Sequence, residues 1–248
     1  MYGVVFVLSR VVFAVSIGTS ALAALVASAP AVPFMGPAIL GHFFGQTSAI
    51  PIAIASLVIN LTVVPATILL LSLDPVSGSG QGTHRAAPGE EPRGTVLSAI
   101  ADKLGETVRE PLVWAPVAAF AVVMSGVTIP PLLFDPLSLL GHATGGVSLF
   151  AAGVVLASYR VNASLPVMLL GLLKNVVQPA LVLCGLRWLG YGNPLLREAV
   201  LMMTIPAMPI VAMLALQYRV AEAMAASSVF FSVIGSVITL AVFILLTS

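Results

Sequence analysis

The sequence predicts an all-α bundle of hydrophobic helices embedded in a membrane, and three observations predict it. Of 248 residues, 59% are hydrophobic and 8% charged, whereas a soluble domain carries about a quarter of its residues as charges. The mean hydropathy is +1.12, more apolar surface than a soluble core can hide; a bilayer accepts helices that are apolar all round. Finally, apolar runs of about 20 residues recur, the length a helix needs to cross a hydrocarbon layer about 30 Å thick.

In chain order the runs are 2–17, which is short and counts as a partial span, then 20–44, 48–73, 112–131, 138–158, 164–186, 195–218 and 223–247. The gaps between them are a few residues long, with one exception. Residues 74–110 open with Asp74 and Pro75 and continue through a Gly, Ser and Pro-rich tract that cannot bury a core. Toward the end of that linker Leu97, Ile100, Leu104 and Val108 recur at helical spacing against Asp102, Lys103, Glu106 and Arg109, which predicts a short amphipathic helix on the membrane surface. The first thirty residues resemble a secretory signal ending in Ala27-Ser28-Ala29, but the apolar character runs on through Leu40 and Arg10 lies inside the run. A signal has its basic residues ahead of the run, so that reading fails.

Loop charge sets the orientation. The side with the linker carries six Lys and Arg, counting Arg160 and Arg219, and the other side carries Arg187 and Arg197. The positive-inside rule then puts the linker in the cytoplasm and the C-terminus outside, in a multi-pass protein of the inner (plasma) membrane. The same charge inventory excludes functions. A formal charge of +1 with dispersed basic residues offers no nucleic-acid stripe. The chain has three histidines, no nucleophile elbow, no zinc-binding His-Glu-x-x-His and no phosphate loop, so an enzyme is not expected. Cys184 has no second cysteine and reads as a packing residue. No cofactor is expected.

A shift of 176 positions aligns Pro30-Ala31-Val32-Pro33 with Pro206-Ala207-Met208-Pro209 and then runs without a gap to Ser72 against Ser248. A Pro-x-x-Pro in mid-span removes backbone donors and should open the helix. Two such breaks in corresponding places point to the binding site of a carrier built from repeats; the bland alternative is a pair of simple kinks, which is also the expectation for the isolated Pro65, Pro116 and Pro179. Five crossings separate the spans 20–44 and 195–218, so they run in opposite directions and the repeats are inverted. On this reading 1–73 is an incomplete N-terminal repeat, 74–110 the linker and 111–248 a five-helix C-terminal repeat. The first half lacks two spans and part of a third relative to the second, so seven or eight of ten expected spans are present and the start is expected to be shortened.

Four segments carry a further likeness: Phe34-Met35-Gly36-Pro37 leading to Phe44-Gly45, Pro111 to Pro116 (Pro-Leu-Val-Trp-Ala-Pro), Leu173 to Pro179 (Leu-Lys-Asn-Val-Val-Gln-Pro), and Pro206 through Ala215, Leu216, Gln217 and Tyr218. In this order and spacing the chain resembles the auxin efflux carrier family of bacterial and plant transporters, including its malonate and malate branch. The resemblance implies ten helices in two inverted repeats that cross at proline-broken helices, here 20–44 and 195–218, with substrate bound near the crossing. One departure matters: where the family often has an asparagine before its Phe-x-Gly stretch this chain has Ala31, with Ala207 in the symmetric place. Substrate identity therefore does not transfer from carriers that use that amide.

The candidate substrate-binding residues are Lys174, Asn175, Gln178 and Thr204 with the proline pairs Pro30 and Pro33, and Pro206 and Pro209. Lys174 lies near mid-span, where a charge costs about 2.5–3.5 kcal/mol on insertion scales. It is either an interior cation for a carboxylate, a lysine packed on carbonyls freed by a broken helix, or a side chain that snorkels to an interface. Asn175 and Gln178, three apart, share a helix face beside it and either bind ligand or join helices. Thr204 either lines the break or bonds the preceding turn. Asn60 and Ser236, related by the shift, read as interhelical hydrogen bonders, and His142 as an interface residue or a proton relay beside Gly141, Gly145 and Gly146. The expected function is secondary transport of small organic anions with proton or sodium as candidate coupling ion; the alternative is a non-transporting scaffold or sensor. Expected partners are the anion, membrane lipid and a second copy of the chain.

Overall fold

The computed structural model describes residues 1–74, 111–127, 129–159 and 161–247. All regular elements among them are helical: α1 (Tyr2–Val12), α2 (Ile17–Ser28), α3 (Val32–Phe44), α4 (Ala49–Val58), α5 (Val64–Ser72), α6 (Pro111–Met124), α7 (Pro131–Ser158), α8 (Leu165–Leu172), α9 (Gln178–Trp188), α10 (Leu195–Thr204), α11 (Ile210–Tyr218) and α12 (Glu222–Leu246). The expected amphipathic helix near 97–108 lies outside the described residues. Among the described residues, three helical stretches are long and apolar enough to cross a membrane: Val32–Ser72, Leu165–Trp188 and Glu222–Leu246.

Pro33, Pro131 and Pro166 sit at the first or second position of α3, α7 and α8, where the missing amide costs nothing because the first turn has no partner for it. Pro65 and Pro179 hold the second position of α5 and α9. In two places the helix passes through its proline without breaking. The residues just ahead of Val64-Pro65 and Gln178-Pro179, Ile59–Val63 and Leu173–Val177, form π-turns. The wider turn absorbs the clash that a proline ring makes with the preceding turn.

Several boundaries differ from the sequence expectation. The run 2–17 is helical only to Val12, so Arg10 stands in the last turn of a short helix and is exposed. The span expected at 138–158 starts at Pro131, since Asp135 and Pro136 are tolerated near the start of α7. Asp74 is not the free start of a linker but is buried, its Oδ2 accepting from Gly18 N at 2.5 Å and Ser16 Oγ at 2.6 Å. It caps the start of α2 with a carboxylate, the favoured charge at that end of a helix. Cys184 is exposed on α9 instead of packed.

The broken spans form the centre. Residues Ala21, Leu22 and Ala24 to Ala27 of α2 and Val200 and Leu201 of α10 are closed to solvent on all sides (0% exposed). By contrast α6 and α7 leave Trp114, Phe120, Leu132, Leu139 and Phe150 exposed, as lipid-facing helices do. Element boundaries follow the 176-residue shift: α1 at Tyr2–Val12 corresponds to α9 at Gln178–Trp188, and α2 and α10 end at Ser28 and Thr204.

Candidate functional site

Both proline pairs open their helices. Residues 29–31 separate α2 from α3, and residues 205–209 separate α10 from α11. The two open segments lie against each other as a single antiparallel bridge between Pro30 and Ala207. Ala31 N donates to Pro206 O at 2.8 Å and Met208 N donates to Ala29 O at 3.1 Å. Four helix ends therefore meet at one point: the C-terminal ends of α2 and α10, and the N-terminal ends of α3 and α11.

The groups released by the breaks are taken up in a definite way. In an unbroken helix Met203 O would accept from Ala207 N, four residues on. Here Ala207 N donates instead to Ser232 Oγ at 2.9 Å, and Met203 O accepts from Lys174 Nζ at 2.9 Å. The carbonyl of Ser28, whose helical partner would be Val32 N, accepts from Gln178 Nε2 at 2.8 Å. Lys174 and Gln178 thus close the C-terminal ends of the two broken helices, where the backbone dipole is negative and a donor or a cation is favoured. Neither α3 nor α11 has a side-chain cap at its N-terminal end.

The π-turn at Leu173–Val177 is what permits this. Asn175 and Gln178 were expected to share a helix face beside Lys174, but the wide turn fans the three side chains toward three different helices. Lys174 reaches α10, Gln178 reaches α2 and Asn175 reaches α12. There Asn175 Nδ2 donates to Ser232 O and Ser232 Oγ donates to Asn175 Oδ1, both at 2.9 Å. Gly235, one turn along α12, leaves room for this amide: a Cβ there would collide with Asn175 Nδ2. Lys174 is 0% exposed, so snorkelling is ruled out, and its contact is the carbonyl freed by the broken helix.

The remaining candidates fall into place around the crossing. Pro30, Pro206 and Pro209 are buried and Pro33 is half-buried. Thr204 is buried but bonds the preceding turn, donating to Leu201 O at 2.7 Å. Ser236 bonds within its own helix, to Val233 O, and does not join helices. His142 Nδ1 donates to Ser138 O at 2.7 Å, and the ring lines a cavity of about 650 Å³ with Pro37, Gly41, Gln46 and Ile52. Gly145 allows close approach of α7 to α3, since a Cβ there would sit 3.3 Å from Phe34 O. That cavity does not touch Lys174, Asn175, Gln178 or Thr204, and Ala31, Val32, Ala207 and Met208 are at most 1% exposed, so the crossing is closed in this conformation.

Ser232 is the residue that sequence reasoning missed. It both receives the amide freed at the second break and fixes Asn175. A signal was present, since the 176-residue shift aligns it with Ser56; a serine in a membrane helix rarely stands out on its own because it can bond its own preceding turn.

Paired broken helices are a feature of secondary transporters, and comparison with known sequences decides the family. The model of the family described as membrane transport protein matches residues 1–244. The chain belongs to that family, the auxin efflux carriers. Among curated members it is 32% identical over 170 residues to the uncharacterized transporter YfdV of Escherichia coli (strain K12), and equally to YfdV of Escherichia coli O157:H7 and of Shigella flexneri. The aligned part covers 67% of this chain and 49% of YfdV. The chain spans about half the length of the curated relatives it matches. Family membership and the apolar helices together make it a multi-pass membrane protein.

Proposed function

We propose that this chain is the core of a secondary transporter for small organic anions of the malonate and malate type, with the crossing of α2–α3 and α10–α11 as the substrate site. The observation that carries the reading is the unequal treatment of the four helix ends. The two negative C-terminal ends are closed by Gln178 and Lys174, while the two positive N-terminal ends of α3 and α11 have no side-chain cap. Uncapped helix N-termini beside a buried ammonium favour an anion, the arrangement by which discontinuous transporter helices hold carboxylates. The absence of an amide at Ala31 and Ala207 leaves recognition to backbone donors and Lys174.

On this reading residues 1–73 and 111–248 belong to two inverted repeats joined through 74–110, and relative motion of the two opens the closed crossing to one side at a time. The linker faces the cytoplasm and the C-terminus the outside of the plasma membrane, with proton or sodium as coupling ion and a second copy of the chain as a partner.

Equilibrium binding of radiolabelled malonate and malate to purified protein tests the site, and uptake into proteoliposomes tests turnover. Lys174→Gln is expected to weaken binding at least tenfold with folding intact, and Lys174→Arg to retain part of it, since charge survives and geometry changes. Unaltered affinity in the Gln variant would reject a direct role for the charge. A wild-type chain that neither binds nor moves any carboxylate would favour the scaffold reading.

A further inference from the structure

A groove of about 480 Å³ runs between α1, α2, the length of α8 and the first turn of α12. Val5, Leu8, Ala23, Leu169, Leu170 and Leu173 line it, and its polar contribution is limited to the small hydroxyls of Ser9, Thr19 and Ser164. A small polyanion needs several donors, so the groove does not suit the substrate class proposed above. Its volume is within the range of sites that enclose a single ligand and its walls are those of a hydrocarbon site.

A charge stands beside it. Phe13 and Val15, in the connection between α1 and α2, line the groove, and the carbonyl of Val15 accepts from Arg10 Nη1 at 2.6 Å, which holds the guanidinium there. Arg10 is exposed, and among the described residues it has no acidic partner. A guanidinium has five N–H donors in a fork that matches a phosphate, and one is used. That connection also lies at a particular end of the molecule. Ser16, next to Val15, bonds Asp74; Ser164 and Met224 line the groove; and Glu222 begins α12. This is the end that the loop charges assign to the cytoplasm, where membranes carry their anionic lipids.

We infer that the groove takes one acyl chain of an anionic phospholipid and that Arg10 receives its headgroup phosphate. The apolar walls supply affinity that any phospholipid shares, and the guanidinium supplies the preference for negative charge. Lys174 is not among the residues that line the groove, so this site stands whether or not the crossing carries anions.

The test is native mass spectrometry of the full chain, reconstituted with equal amounts of phosphatidylglycerol and phosphatidylcholine of matched acyl chains. The wild type is expected to retain phosphatidylglycerol about fivefold over phosphatidylcholine, the ratio expected from one basic side chain at a membrane surface. Arg10→Gln should remove the preference, Arg10→Lys should keep most of it, and Leu169→Trp, which fills the groove, should lower retention of both lipids. Inorganic phosphate at millimolar concentration should displace nothing. Equal retention in the wild type, a preference that survives Arg10→Gln, or displacement by phosphate alone would overturn the inference. If Arg10→Gln fails to fold, Leu169→Trp decides: undiminished retention of phosphatidylglycerol in that variant rejects the groove.

Discussion

At the first break the exposed end of α2 is closed by an amide, Gln178 on Ser28 O; at the second the end of α10 is closed by an ammonium, Lys174 on Met203 O. The freed backbone donors differ too. Ala31 N finds the opposite segment, at Pro206 O, whereas Ala207 N finds a side chain, Ser232 Oγ. Two breaks that coincide under one shift in sequence have been completed by different chemistry. Proline imposes an opening on both sides, because it removes the same donor and makes the same clash wherever it stands. What fills the opening depends on neighbouring helices, and those neighbours have diverged. The asymmetry puts the only charge at the crossing, among the described residues, beside the second break, so the halves should respond differently to matched substitutions.

The largest difference is expected when charge and packing are separated at Lys174. Lys174→Met keeps the volume, loses the bond to Met203 O and removes a costly buried charge. The unpaired carbonyl costs about 1–3 kcal/mol, and relief of the desolvation penalty offsets a similar amount. Stability should therefore change by less than about 1 kcal/mol, while anion binding falls at least tenfold. Gln178→Met, the matched change at the first break, should leave binding within about threefold of wild type, since no charge is lost there. Unfolding in detergent and ligand binding on the same samples check both; equal losses of affinity at the two positions would erase the functional asymmetry.

Next in size is the serine pair related by the shift. Ser232→Ala leaves Ala207 N and Asn175 Oδ1 buried and unpaired, at about 1–3 kcal/mol for each group before relaxation. A loss of about 2–4 kcal/mol is expected. Ser56, its counterpart in α4, is half-buried and has no side-chain hydrogen bond among the described residues, so Ser56→Ala should lie within about 0.5 kcal/mol of wild type. Thermal or denaturant unfolding of the two variants side by side sharpens the comparison, and a cost at Ser56 equal to that at Ser232 would show that the hydrogen bonds of Ser232 do not set it.

How much of this was readable in advance follows the same division. Membrane character, the two breaks and their crossing were legible because proline and apolar length act locally and uniformly. Lys174 was legible as an anomaly, since a charge in mid-span demands a partner; which partner was not, because Met203 O becomes available only through a break 29 residues away. The shared face of Asn175 and Gln178 failed for a nearby reason. Regular helix spacing was assumed where Pro179 widens the turn to a π-turn, and one widened turn redirects every side chain on it. Asp74 was misread because the Pro and Gly-rich tract after it looks like a linker, although its carboxylate belongs to the start of α2. A cap donated from 56 residues away leaves no local signature. Asp74→Asn should cost about 1 kcal/mol through the weakened cap and the lost charge at the α2 N-terminus, a third entry in the series that unfolding measurements can rank.

The smallest effect is expected where a bond is as short as any at the crossing but is not enclosed. Tyr159 OH, in the connection between α7 and α8, donates to Glu222 Oε2 at 2.5 Å in the first turn of α12. Accepting this bond, the carboxylate favours the protonated phenol and holds the Tyr159 ionisation above its usual value near 10; partial burial and the negative charge of Glu222 push the same way. The sign for stability follows. A folded-state value above the unfolded one contributes stability that is present below the unfolded value and is lost as pH rises through the folded one. Solvent screening at this site keeps the contribution small at neutral pH. Glu222→Gln should therefore leave the unfolding midpoint at pH 7 nearly unchanged and lower the phenol titration toward 10, seen as an earlier rise in phenolate absorbance. The sequence has four tyrosines, so the difference between wild-type and variant titration curves isolates Tyr159. A large drop in stability at pH 7 would mean that this contact is as enclosed as Ser232, and an unmoved titration would mean that the Tyr159–Glu222 bond is not kept in solution.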